Sequence, residues 1–136
     1  MKRIAGPILA LLALAACDGS TAPPPSAAAG SSSAAAVTDC GTFELGQGDG
    51  MPEAATRCLV EAVRDGSPAR LQVTRPTTEG DPIPVTYTAG ADGRVEVLTD
   101  SRQDKFGPQT ITRQFCTGPT APQLTFAQCA EPTPSG

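Results

Sequence analysis

The sequence predicts an α+β domain: one N-terminal helix packed on a four- or five-stranded antiparallel meander sheet, stapled by disulfides. Three observations predict it. Apolar residues recur at spacings of three and four between residues 52 and 65. After Gly66 the apolar period falls to two. Four cysteines, Cys40, Cys58, Cys116 and Cys129, fall within the same stretch, and an even number in a small domain points to two bridges.

The helix is expected over residues 52–65. Ala55, Leu59, Ala62 and Val63, with Cys58, share one face. Asp49 or Gly50 can begin it, Pro52 suits its first turn, and Gly66 stops it. Glu53, Arg57 and Glu61 stack at four-residue steps on another face. Strands are then expected over 69–75, with Leu71 and Val73 on one side, over 83–89, with Ile83, Val85 and Tyr87, and over 94–99, with Val95 and Val97. A fourth, over 109–116, sets Ile111 and Phe115 toward the core, and residues 124–128 add a fifth through Leu124 and Phe126. One apolar face per strand implies an antiparallel sheet wetted on one side and covered by the helix on the other.

With four Phe, one Tyr and no Trp, the core is thin. A domain spanning residues 39–136 buries only roughly 60–65 per cent of its unfolded surface, and such domains usually need crosslinks. Four cysteines allow three connectivities. Cys40–Cys58 and Cys116–Cys129 close the shortest loops. A regular hairpin would set Cys116 and Cys129 near opposite ends of its second strand, so the second bridge implies an irregular last segment.

The residues before this domain are of another kind. Lys2 and Arg3 form a positive start, and residues 4–16 form an apolar stretch too short to span a bilayer. It ends in Leu14-Ala15-Ala16-Cys17, which resembles the bacterial lipobox. That resemblance implies a signal peptide over 1–16, a diacylglycerol carrying acyl chains such as palmitate on the Cys17 thiol, and cleavage before Cys17, which becomes the mature N-terminus. Two or three chains anchor stably where one does not. Residues 18–38 are rich in Pro, Ala, Ser and Gly with one charge, so 17–38 reads as a lipidated cysteine and a flexible tether. Its reach is roughly 25 Å. Residues 39–130 then form the single domain and 131–136 a disordered tail. The expected location is the cell membrane, lipid-anchored and facing the extracytoplasmic side, where disulfides persist.

The formal net charge is −4. Of the 10 basic residues, two (Lys2 and Arg3) are in the leader, so 8 face 14 acidic ones in the remainder, a net of −6. No Lys/Arg cluster follows a phosphate backbone, which excludes nucleic acid as an expected partner. The absence of His removes Ser-His and Cys-His nucleophile activation and the commonest transition-metal ligand. No cofactor or metal is expected. Gly46-Gln47-Gly48-Asp49-Gly50 lacks the lysine of a phosphate loop and reads as a lead into the helix.

The meander brings two long loops, 76–82 and 100–108, to one end of the sheet. Between them they hold Glu79, Asp81, Asp100, Arg102, Asp104 and Lys105, the candidate contact surface. The same residues suit turns, with acids satisfying loop N–H groups and cations pairing with acids. Calcium is the sharper alternative, but EF-hand spacing is missing and the neighbouring cations oppose it. Thr78-Glu79-Gly80-Asp81-Pro82-Ile83, then Asp100-Ser101, Asp104 and Phe106-Gly107, resemble the signature of a bacterial family of unknown function: small exported proteins, often lipoproteins, with T-x-E-G-D-P-I and D-x-S-x-D-x-F-G blocks. Here Thr77 fills the family's Thr position. The resemblance covers about residues 69–116 and implies no activity.

The expected function is therefore a non-enzymatic interaction or ligand-binding module, tethered to the membrane through Cys17, with an envelope or extracellular protein or a small ligand as partner. A small inhibitor of an extracellular hydrolase is the alternative, by superficial likeness to the cystatin-like arrangement. A protruding, rigid, apolar loop tip would favour the inhibitor; a flat charged end would favour the module. Two carboxylates ~5 to 9 Å apart across a cleft would instead indicate a hydrolase.

Overall fold

The computed structural model describes residues 36–136. The leader, Cys17 and the tether as far as residue 35 lie outside the described residues.

The expected helix and disulfide-stapled α+β architecture are present, on a larger sheet than the periodicity suggests. Strands β1 (Thr38–Glu44), β2 (Ala69–Pro76), β3 (Pro82–Ala89), β4 (Val95–Asp100), β5 (Ile111–Thr120) and β6 (Thr125–Cys129) lie in that order across the sheet. A short β7 (Thr133–Pro134) continues along β5 beyond β6. Helix α1 (Glu53–Asp65) connects β1 to β2. That crossover lets β1 run parallel to β2, while every later pair is antiparallel.

β1 was not expected, because its alternation is broken. The β1–β2 register slips between Asp39 and Thr42, a bulge centred on Gly41 at φ 106°. Cys40 and Phe43 both turn toward the helix side although three residues apart. A period-two reading therefore misses the strand.

α1 begins one residue later than expected, with Pro52 in the N-cap position and no side-chain cap. Asp49 is used elsewhere: its carboxylate accepts from the Gly46 N–H at 2.7 Å and closes the turn before the helix. Gly66 ends the helix in the left-handed region. Its N–H donates to the Val63 carbonyl and that of Ser67 to the Ala62 carbonyl. Ala55, Thr56, Leu59 and Ala62 form the buried face. With Leu71, Val73, Val95 and Val97 they make the core between helix and sheet.

β5 departs from expectation in its facing. Val95 pairs with Cys116 and Val97 with Gln114, so Cys116, Gln114 and Thr112 share the core side. Ile111 and Phe115 consequently lie on the outer side, where Phe115 sits under the Arg94 guanidinium at 5.3 Å. Beyond Cys116 the β5–β6 hairpin turns in over the helix-side face. Phe126 stacks on Tyr87 with ring centroids 6.3 Å apart, and Leu124 packs against the core.

The two disulfides join the expected cysteines. Cys40–Cys58 ties β1 to α1, and Cys116–Cys129 ties β5 to β6. The irregular last segment is corrected: Cys116 and Cys129 are direct cross-strand partners, equidistant from the hairpin turn, with Cα atoms 4.1 Å apart. The expected disordered tail is corrected as well. Thr133 and Pro134 pair with Arg113 and Thr112, and the Ser135 N–H donates to the Ile111 carbonyl.

Candidate functional site

The β2–β3 loop (residues 77–81) and the β4–β5 loop (residues 101–110) meet at one end of the sheet, as the meander predicts. What joins them is Asp81. The residue is 6 % exposed, and its carboxylate accepts from both the Lys105 backbone N–H (3.1 Å) and the Lys105 Nζ (2.8 Å). Those bonds hold the Asp81 carboxyl below its ordinary pKa and raise that of Lys105. Asp81 thus braces the two loops against each other.

The first loop is fitted to present Asp81. The Thr77 N–H donates to the Asp81 carbonyl (2.8 Å), and the Thr77 hydroxyl accepts from the Asp81 N–H (3.0 Å). Gly80, at φ 93°, takes a conformation that side chains resist. From the segment before α1, the Gln47 amide donates to the carbonyls of Thr77 and Thr78. Nothing in the sequence singled out Gln47, because its partners lie 30 and 31 residues away.

The second loop is braced from within. Asp100 accepts from the Arg102 backbone N–H and binds its guanidinium through both oxygens, at 2.9 and 2.7 Å. This lowers the Asp100 pKa and raises that of Arg102. Asp104 accepts from the N–H groups of Phe106 (3.0 Å) and Gly107 (2.9 Å). The candidate acids therefore separate into two kinds. Asp81, Asp100 and Asp104 hold loop geometry; Asp81 and Asp100 engage both carboxylate oxygens, Asp104 its Oδ1. Glu79 is exposed and has no side-chain hydrogen bond or ion pair among the described residues.

Between these braces stands Phe106, 77 % exposed and the most exposed large apolar side chain among the described residues. Lys105 and Arg102 flank it with largely exposed side chains. In the sequence Phe106-Gly107-Pro108 reads as turn chemistry, so the aromatic itself was passed over. The signal that could have found it is a lone aromatic inside a polar, acid-capped loop.

The blocks that suggested a family of unknown function acquire a physical meaning here. Thr77, Gly80 and Asp81 of the first block and Asp104 and Gly107 of the second are the residues that fix the two loops, joined through Asp81 and Lys105. Compared with family models, curated proteins and solved structures, the chain matches none, so that resemblance rests on these motif residues alone.

Proposed function

We propose that the chain is an exported lipoprotein, cut before Cys17 and anchored by lipid on that cysteine, and that its domain is a non-enzymatic module that binds a protein partner through the Phe106 loop tip. The observation that carries this is a large aromatic side chain left exposed on a loop that Asp81, Asp100 and Asp104 hold rigid. A rigid aromatic contributes contact area at low cost in side-chain entropy, which is why aromatics dominate interface hot spots. Two disulfides agree with an oxidising compartment outside the cytosol.

The topology suits a tethered module. The chain enters the domain at Thr38, which pairs with Ala69 at the start of β2; Ala69 in turn pairs with Ala89. That row is the end of the sheet opposite the two loops.

Two measurements test the proposal. Mass spectrometry of the membrane fraction should find a mature chain beginning at an acylated Cys17; an intact leader overturns the anchor. Full-length wild type and Phe106→Ala, recovered with partners from envelope extract, should differ in at least one protein. Loss of a hot-spot aromatic typically weakens binding by about 30-fold or more. Identical partner sets remove the loop tip as contact surface.

A second reading is favoured by the same rigid apolar tip: a small inhibitor whose loop enters the cleft of an extracellular hydrolase. Inhibition of such an enzyme by wild type, lost in Phe106→Ala, would select it over a module that binds without blocking activity.

A further inference from the structure

A cleft separate from the loop tip lies on the helix side of the sheet, between the start of α1, the end of β2 and the turn of the β5–β6 hairpin. Its volume is about 500 Å³, and Met51, Arg75, Pro122, Gln123 and Leu124 line it. Small organic ligands occupy clefts of roughly 300 to 1,000 Å³ that are largely apolar with a few fixed polar groups. Met51, Pro122 and Leu124 provide the apolar part, and Glu53, Arg75, Gln123 and Thr125 make the rest of the lining polar.

Arg75 sets the chemistry. On β2 the helix-side positions run Ala69, Leu71, Val73 and then Arg75, because side chains alternate along a strand. The first three are buried core. The fourth continues the same stripe with a guanidinium at the edge of the cleft. Of the described arginines, Arg57, Arg64, Arg94, Arg102 and Arg113 each pair with a carboxylate, whereas Arg70 and Arg75 have no ion-pair partner, and Arg70 lies on the opposite face of β2. Glu53, the carboxylate that also lines the cleft, pairs with Arg57 at 3.3 Å instead. Arg75 is also near enough to the half-buried Tyr87 phenol for its positive charge to oppose the upward pull of burial on that group. An exposed guanidinium at the rim of the cleft, without a carboxylate bound to it and beside Met51, Pro122 and Leu124, fits a ligand with an anionic head and an apolar tail. Its planar fork matches a carboxylate through two parallel bonds.

We infer that this cleft binds a small organic carboxylate bearing a short aliphatic group, the carboxylate on Arg75 and the aliphatic group against Met51, Pro122 and Leu124. The site shares no residue with the Phe106 tip, and neither assignment depends on the other.

The test is an NMR titration of the full chain in detergent micelles, disulfides intact, with N-acetyl-L-leucine as probe. Its amide analogue N-acetyl-L-leucinamide removes the charge at constant shape, and acetate removes the tail. N-acetyl-L-leucine should produce saturable shifts at the amides of Met51, Arg75, Gln123 and Leu124. The amide analogue and acetate should each bind more weakly by about tenfold or more. Arg75→Gln should lose the carboxylate preference while its circular dichroism spectrum is unchanged, and Arg75→Lys should recover part of it. Shifts of equal size with the amide analogue, unchanged binding in Arg75→Gln, or no saturable response at these residues would each overturn the assignment.

Discussion

Removing the two disulfides separately should cost the same global stability but loosen different parts of the molecule. Cys40–Cys58 spans 18 residues and Cys116–Cys129 spans 13. Loop-closure entropy in the unfolded chain gives about 3.2 kcal/mol for the first and about 2.9 kcal/mol for the second, a difference within error. Both bridges also place one sulfur in the core, since Cys116 is fully buried and Cys40 nearly so. The native state, however, depends on them unequally. Cys116 and Cys129 sit on a hairpin whose strands are joined by a short turn and paired by backbone hydrogen bonds. β1 is an edge strand with β2 as its one neighbour, reached through a helical crossover and interrupted by the Gly41 bulge. In Cys40→Ala/Cys58→Ala, urea unfolding followed by circular dichroism should show a loss of about 3 kcal/mol. Hydrogen exchange should show protection collapsing first across Thr38–Glu44. In Cys116→Ala/Cys129→Ala the global loss should be similar, with β1 protection falling only in proportion to it. A loss under about 1 kcal/mol in either variant would refute the entropy reasoning. Preferential loosening of the hairpin in the first variant would refute the assignment of β1 as the dependent element.

Two further predictions concern the braces and the bulge. The Asp81 carboxyl has a lowered pKa in the fold, so its contribution is present above the ordinary carboxylate value of about 3.9 and disappears as pH falls through the lowered one. Asp81→Asn should therefore narrow its stability deficit against wild type as pH drops below about 4, and a deficit that stays constant down to pH 2 would refute the brace. Gly41 has φ 106°, and a Cβ there would lie 2.8 Å from the Phe43 ring. Gly41→Ala should cost about 1 to 3 kcal/mol in urea unfolding, and a neutral result would contradict the bulge geometry.

The helix and β2 to β4 were legible because their signals are local. Ala55, Leu59 and Ala62 repeat at the spacing of one helical face, and Leu71, Val73, Val95 and Val97 at that of one sheet face. β1 was not legible, since the bulge at Gly41 separates its two inward side chains by three residues. The facing of β5 was inverted for a related reason. Its two largest apolar residues, Ile111 and Phe115, point outward, and its inner positions are Thr112, Gln114 and the bonded Cys116, which the curled hairpin helps to cover. Periodicity locates a strand but does not say which of its faces meets the core when the more apolar face is the outer one.

The candidate site divides along the same line. That acidic loops share one end of the sheet follows from the order and direction of the strands, which the sequence alone supplies. The parity of the domain's cysteines, the helical stripe and the turn glycines are likewise properties of neighbouring residues. Which acids are free is not. Asp81 meets Lys105 across 24 residues of chain, and Gln47 reaches Thr77 across 30. Only the assembled tertiary structure decided that three of the four acids brace loops, that Phe106 is left exposed between them, and that Arg75 ends a core stripe without a carboxylate. Local pattern reflects the geometry of one element, whereas the partner and exposure of a side chain depend on what the rest of the chain brings beside it.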